Sequence, residues 1–520
     1  MAIYKIPTNT LITTHMAIMD YPTLCLLFSL LLTFIYVATI SGRRISRLPP
    51  GPYPYPIIGN LLSIGVKPHI SLATLSKRYG PLMSLKLGTK TTIVVSSPDI
   101  AKQFFHTHDL AFSSRSVPDT GQVVGHDKYS MVWLPVGDQW RKLRKITREH
   151  ILSVQRLDAS EDLRQKKVQE LLDHVNHCCI NKKAVNIGAV VFTTALNILS
   201  NYIFSIDLAQ YDSVSSQEFK EAVSGLLEIG GKPNLADFFP ILKPFDPQGL
   251  LRKGNVYGKK LMDIFDRLID QRLQIRSSSS SSDDIVNLSA NKDVLDLLLD
   301  LNQESESQFS RNDMRHLFMA LFIAGTDTST GTIEWAMTEL IRNKTKMEKT
   351  QFEIMKLKDD KNIQEMDISR LPYLQGVIKE TLRLHPPAPF LIPHLATQNV
   401  EVQGFIVPKN AEIICNVWAM GQDPNIWSDP KMFIPERFLD VKIDYKGQDY
   451  NLIPFGAGRR ICPGLNMGHR MLHIILGSLI HKFNWKLEKN MKVQDIDMDE
   501  KFGLTLQRKV PLMAIPISNQ

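Results

Sequence analysis

A mainly α-helical fold with a smaller β region, preceded by a transmembrane helix, is what the sequence predicts, and three stretches carry that expectation. Residues 21–40 form a leucine-rich run without a charge, about the length a helix needs to cross a bilayer. Residues 311–342 read as one long helix with an apolar centre, Leu317-Phe318-Met319-Ala320-Leu321-Phe322-Ile323-Ala324. Between them, the β-branched run Thr91-Thr92-Ile93-Val94-Val95 follows a glycine turn at Gly88, so residues 86–96 read as strands. The rest of the body is mostly helical in pattern, without a visible repeat.

The chain of 520 residues is long enough for a large core, and 43% hydrophobic with 22% charged residues is ordinary for a globular protein. The five cysteines, Cys25, Cys178, Cys179, Cys415 and Cys462, are odd in number and lack C-x-x-C spacing. That argues against a disulfide framework or structural zinc, and for a reducing compartment. Cys415, inside Ile413-Ile414-Cys415-Asn416-Val417, reads as a core residue. A net charge of +8 suits an acidic partner or an anionic lipid surface. Nothing in the chain implies a nucleic-acid partner.

At the amino terminus, Arg43, Arg44 and Arg47 follow the apolar run, whereas Lys5 is the only lysine or arginine before it. The positive-inside bias therefore puts the carboxyl-terminal bulk on the cytosolic side. A cleaved signal peptide is the alternative, which the length of the run and the lack of a clear small-residue cleavage site count against. Pro50, Pro52, Pro54 and Pro56 then exclude helix and favour a stiff extended spacer. The chain divides accordingly into an extension and anchor (1–47), a proline-rich hinge (48–56) and a body (57–520). Within the body, the serine tract 277–282 with Asp283-Asp284 has nothing to bury and reads as a disordered loop between helices.

Four stretches of the body carry chemistry. The run Pro454-Phe455-Gly456-Ala457-Gly458-Arg459-Arg460-Ile461-Cys462-Pro463-Gly464 sets a lone cysteine among glycines and arginines, ahead of a helix-forming segment. Electropositive surroundings, backbone N–H groups and a helix dipole all favour a thiolate able to ligate a metal. A glycine-rich turn with an inert buried cysteine fits the same residues. Gly456-Ala457-Gly458 also begins like a dinucleotide fingerprint, but Ile461 stands where the third glycine belongs.

In the long helix, Ser310 and Asp313 form a capping-box pattern. Its middle, Gly325-Thr326-Asp327-Thr328-Ser329-Thr330-Gly331-Thr332, breaks the propensity rules, as functional sites do. A helix ending at glycine with a second, capped helix after it is the alternative. Trp140 and Arg144 share one face of a basic amphipathic helix, with Arg141, Lys145 and Arg148 as a neighbouring stripe. A solvated charged face with one packed tryptophan fits that pattern too. Glu380 and Arg383 are three apart on a helix stopped by Pro386-Pro387, which is either a surface pair or a buried helix end.

These stretches together resemble the cytochromes P-450, the haem-thiolate monooxygenases. Phe455, Gly458, Arg460, Cys462 and Gly464 fill the F-x-x-G-x-R-x-C-x-G signature. Trp140 and Arg144 match W-x-x-x-R, residues 324–329 the oxygen-activation motif, Glu380 and Arg383 E-x-x-R, and Pro435-Glu436-Arg437-Phe438 the P-E-R-F segment. The resemblance implies the P-450 fold, with haem b between the long helix and the cysteine loop and Cys462 as the axial iron ligand. Trp140, Arg144 and Arg460 would be further cofactor contacts. His394 stands where many relatives carry an arginine to a haem propionate; it can still donate a hydrogen bond, with a charge that depends on pH. Asp327 and Thr328 would relay protons to dioxygen, Thr328 being the nearer. Glu380, Arg383 and Arg437 would form a buried brace for the cysteine loop. The substrate would lie among residues 113–130, 317–328, 389–393 and 502–505.

No flavin or nicotinamide fingerprint is evident, so the resemblance implies electrons from a separate NADPH–cytochrome P-450 reductase, docked near Arg141, Lys145 and Arg148. It further implies a single-pass endoplasmic reticulum protein with a cytosolic catalytic body. Anchors of this family commonly begin where Met19-Asp20 stands, so residues 1–18 are an extension or the product of an upstream start. The stretches 111–118, 231–234 and 497–503 are similar to plant family 76 of these enzymes, which acts mainly on terpenoids. The expected reaction is hydroxylation of a small apolar metabolite, first a monoterpene alcohol such as geraniol. A larger terpenoid or a tyrosine-like phenol is the alternative. The Asp327-Thr328 pair and the uninterrupted spacing from Phe455 to Cys462 count against a dioxygen-independent isomerase or dehydratase, and a non-enzymatic haem carrier ranks lower still.

Overall fold

The structure, a computed structural model, describes residues 21–43, 47–211, 217–278, 292–304, 309–357, 363–488 and 491–519. The expected extension at 1–18 and most of the serine tract lie outside these residues. The fold is mostly helical with small sheets, as the sequence predicted.

Helix α1 (Tyr21–Arg43) carries the apolar run, and Leu24, Phe28, Leu31 and Phe34 are exposed on it. One described helix is long and apolar enough to cross a membrane by length and composition, Ile187–Phe204, and it is mostly buried in the body. It serves as a core helix, labelled α3 below.

The helices that build the site are α2 (Asp138–Ile146), α3, α4 (Arg311–Arg342), α5 (Pro372–Leu384) and α6 (Leu465–Lys482). Helix α4 spans the residues the sequence predicted, and its Ser310/Asp313 capping box is formed in both directions. At 1.5 Å per residue it is about 48 Å long. It does not end at Gly325 or Gly331. The hydroxyls of Thr326, Thr328, Thr330 and Thr332 donate to the carbonyls four residues back, at 2.7–2.8 Å, so the polar middle is accommodated within one continuous helix. Helix α3 packs along α4, with α5 and α6 on other sides, and their apolar faces form the main core.

The principal sheet has five strands, β1 (Leu82–Leu87), β2 (Lys90–Val95), β3 (Ser114–Arg115), β4 (His394–Leu395) and β5 (Glu412–Cys415), in the order β1-β2-β5-β4-β3. β1 and β2 are the hairpin expected around Gly88. β2 and β5 run parallel, while β4 is antiparallel to both β5 and β3. Cys415 is buried in the second apolar cluster, behind this sheet, and burial pushes its thiol up to about 12. A small hairpin, β6 (Glu500–Phe502) with β7 (Leu506–Arg508), lies against α4.

Candidate active site

The cysteine loop is shaped by its own backbone contacts. Cys462 N–H donates to the Phe455 carbonyl at 2.8 Å, closing the loop on itself. Gly458 has φ +66°, and a Cβ there would stand 2.3 Å from the Phe105 carbonyl oxygen, so the close approach requires glycine. Helix α6 starts three residues beyond the cysteine and aims the positive end of its dipole toward it. Burial pushes the Cys462 thiol up, while the Gly464 N–H and the Arg144 charge favour its thiolate.

Around this loop the fold gathers side chains from distant parts of the chain. One cavity is lined by Cys462 and Arg460 from the loop, Trp140 and Arg144 from α2, Arg115 and His394 from β3 and β4, and Thr328 from α4. The remaining lining is almost wholly apolar, with Leu199, Ala320, Leu321, Ala324, Leu391 and Ile392 prominent. No carboxylate lines it among the described residues.

The basic edge of this cavity is ordered by backbone carbonyls. Arg144 Nη2 donates to the Ile461 carbonyl at 2.6 Å. Arg460 donates to the carbonyls of Ser113 (2.7 Å), Met131 (3.0 Å) and Leu134, with its guanidinium 4.8 Å from the centre of the Trp140 ring. Arg115 donates to the Ile392 carbonyl. Burial and the neighbouring arginines depress the Arg115 pKa, and burial with Arg144 brings Arg460 down to about 10. Buried cations without a counter-charge are costly. Moreover, the Arg115 Nε and the Trp140 Nε1 have no hydrogen-bond partner among the described residues. The donor set lacks an anion.

His394 does not supply a cationic donor. Its Nδ1–H donates to the Phe112 carbonyl at 2.6 Å, and burial with the charges of Arg115 and Arg460 holds its pKa well below the usual range. In the neutral form that burial favours, Nε2 is an acceptor. His394 lines the cavity, and Arg115, which sequence reasoning missed, adds a guanidinium beside it. The available signal was a single arginine within Phe112-Ser113-Ser114-Arg115-Ser116-Val117.

Thr328 and Asp327 part company. Thr328 lines the cavity and its hydroxyl donates to the Ala324 carbonyl at 2.7 Å. Asp327 is not part of the lining; it is buried against the β6–β7 hairpin, where Thr505 and Gln507 donate to it. Nor do residues 502–505 line the cavity, contrary to expectation. Phe502 stacks on His69 and meets Phe390 at a tilt, and Leu504 packs toward Gly230 and Gly231.

Glu380 and Arg383 are fully buried and doubly hydrogen-bonded, each contact at 2.7 Å. Arg437 Nε adds a third contact to Glu380 at 3.0 Å. Arg383 also donates to the carbonyls of Gly421, Pro430 and Met432. The network ties α5 to the segment that leads into the cysteine loop.

A half-buried thiol on the cavity wall, an anion-seeking basic edge and an apolar space beneath a long helix suit a metal-bearing ring with acidic arms. They are the features of a haem-thiolate site. The cytochrome P-450 family profile matches residues 49–513, and the chain belongs to the cytochrome P-450 family. It is 51% identical over 500 residues to cytochrome P-450 76T24 of Catharanthus roseus, covering 95% of this chain and 99% of that one. It is 48% identical over 499 residues to geraniol 8-hydroxylase of the same plant, covering 96% and 99%. Ferruginol synthase of Salvia miltiorrhiza is 44% identical over 499 residues, with the same coverage.

Proposed function

We propose that this protein is a membrane-anchored, NADPH-dependent monooxygenase that hydroxylates a small neutral terpenoid such as geraniol. The observation that carries the substrate class is the cavity lining: mostly apolar, with the hydroxyls of Thr328, Ser329 and Thr332 along α4 and a basic edge that haem carboxylates would occupy. An amino-acid phenol would bring an ammonium and a carboxylate into this space, and leaving either unpaired costs several kcal/mol. A terpene alcohol brings one hydroxyl.

Haem b held through a thiolate supplies dioxygen activation and insertion of one oxygen atom into a C–H bond. Cys462 would provide the thiolate; burial favours its thiol, and the Gly464 N–H, Arg144 and the α6 dipole act in the opposite direction, toward the anion a metal would hold. Arg115, Arg144 and the Trp140 N–H would hold the carboxylates, while Arg460 braces the loop through three backbone carbonyls. Thr328 holds a proton at the cavity wall, and Asp327 replenishes it from the far side of the helix turn.

Arg141, Lys145 and Arg148 are exposed and offer an acidic NADPH–cytochrome P-450 reductase a basic face. The exposed apolar side chains of α1 and the arginines after it suit a single span of the endoplasmic reticulum membrane. In this arrangement residues 1–47 anchor, 48–56 form the hinge and 57–520 form the cytosolic catalytic body.

The test is turnover in microsomes with reductase, NADPH, geraniol and isotopically labelled dioxygen. The expected result is a hydroxylated product that carries the label and needs both NADPH and dioxygen. Product formed without either, or without label, overturns the reading. Substrate-difference spectra with terpene alcohols and with tyrosine separate the two substrate classes.

A further inference from the structure

Asp327 and Thr328 are neighbours on α4, so their side chains diverge by about 100° around the helix. Thr328 reaches the cavity, whereas Asp327 reaches the β6–β7 hairpin. There the Thr505 hydroxyl donates to Oδ2 of Asp327, and Gln507 Nε2 donates to Oδ1 at 2.5 Å. Thr505 lies in the turn of the hairpin and Gln507 on β7, and both side chains reach Asp327. Each carboxylate oxygen thus has its own donor from the hairpin, 178 and 180 residues away in sequence.

We propose that Thr505 and Gln507 are positioning residues for proton delivery, holding the Asp327 carboxylate in place and setting how readily it gives up a proton toward Thr328. This inference rests on the monooxygenase reading above. Burial raises the Asp327 pKa, and these two hydrogen bonds are the groups that oppose it. No ion pair joins Asp327 to a cation among the described residues. On its own helix the nearest titratable neighbour is Glu334, whose carboxyl feels both Asp327 and Arg508. Arg508, on β7, lies 5.1 Å from the Trp335 ring centre and donates to the carbonyls of Asp497 and Val510. Helix α3, packed along α4, contributes no charged residue.

A buried carboxylate with no counter-ion depends on such donors, because an unpaired oxygen there favours the protonated form. The hairpin is also fixed to the cavity wall, since Leu506 N–H donates to the Pro387 carbonyl at 2.8 Å. The acid and part of the substrate wall are therefore held by a single element.

The experiment compares holoenzyme with Thr505→Val, Gln507→Leu, Thr505→Ser and Asp327→Asn. Infrared spectroscopy follows the protonated-carboxyl stretch that Asp327→Asn removes, as a function of pH. Product, peroxide and NADPH consumption are measured with reductase and geraniol. In Thr505→Val and Gln507→Leu the carboxyl band should persist to higher pH than in the wild type. Peroxide per NADPH should rise several-fold, with Thr505→Ser restoring both readouts. A carboxyl titration unchanged in both donor-deleted variants overturns the proposal, as does unchanged coupling alongside active wild type. Should the wild type leave geraniol untouched, the substrate reading fails, and the infrared titration alone decides the positioning role.

Discussion

Arg115 and His394 are register partners on the antiparallel strands β3 and β4, both at the edge of the cavity, and only one of them carries charge. The guanidinium has an unpartnered Nε, whereas the imidazole has committed its N–H to the Phe112 carbonyl. Arg115→Leu should therefore weaken haem retention by roughly tenfold, the size of one charge-assisted hydrogen bond. His394→Asn should change it far less. The ratio of haem to protein absorbance after gel filtration in the presence of a haem scavenger checks both.

The Glu380 carboxylate serves two arginines and the Ile434 N–H at once. Removing one member of a buried ionic network costs about 3–5 kcal/mol, because the others stay buried without a partner. Glu380→Gln should lower the unfolding free energy by that order, with a lower denaturation midpoint, and cut the yield of holoprotein, although it lies outside the cavity. Chemical denaturation read by far-ultraviolet circular dichroism measures the loss.

What the sequence made legible follows from how local the signals are. The bounds of α4 were readable because Ser310 and Asp313 form its cap within four residues and an apolar run follows. The same holds for the β1–β2 hairpin around Gly88. The cysteine loop was legible as a motif, since its glycines and arginines are contiguous. Arg115 was not, because its role depends on which arginines and carbonyls meet it across hundreds of residues. The tautomer of His394 depends on the Phe112 carbonyl, 282 residues away. The polar middle of α4 left a break open as the alternative to one long helix, and side-chain hydroxyls bonded to carbonyls one turn back let the helix continue.

Thr328 is the cavity-lining hydroxyl nearest in sequence to a buried acid. Thr328→Ala should keep haem binding and lose coupling, diverting most reducing equivalents to peroxide, and Thr328→Ser should recover much of it. The product formed per NADPH consumed is the measurement.

Glu500 links His69, at 2.8 Å, to His385, at 3.4 Å. Burial alone would raise its carboxyl, but the hydrogen bonds from both histidines hold it down at about 2. Its contribution is complete above the ordinary carboxyl value of 4.5 and is lost as pH falls from there to about 2. The His385 pKa is raised, its burial outweighed by Glu339 and Glu500, so that contribution is present in mild acid and fades as pH rises through the folded value. Glu500→Gln should cost about 3 kcal/mol between these limits. The gap from wild type should close as pH drops below 4.5. Urea denaturation midpoints across pH check the trend.

The central claim is that the Cys462 sulfur is the ligand around which the rest of the site is arranged. The reduced carbon monoxide spectrum of the wild type and of Cys462→Ser tests it most directly. The wild type should show the red-shifted Soret band of a thiolate-ligated haem, and Cys462→Ser should lose it. A thiolate-type band retained in Cys462→Ser would contradict the account.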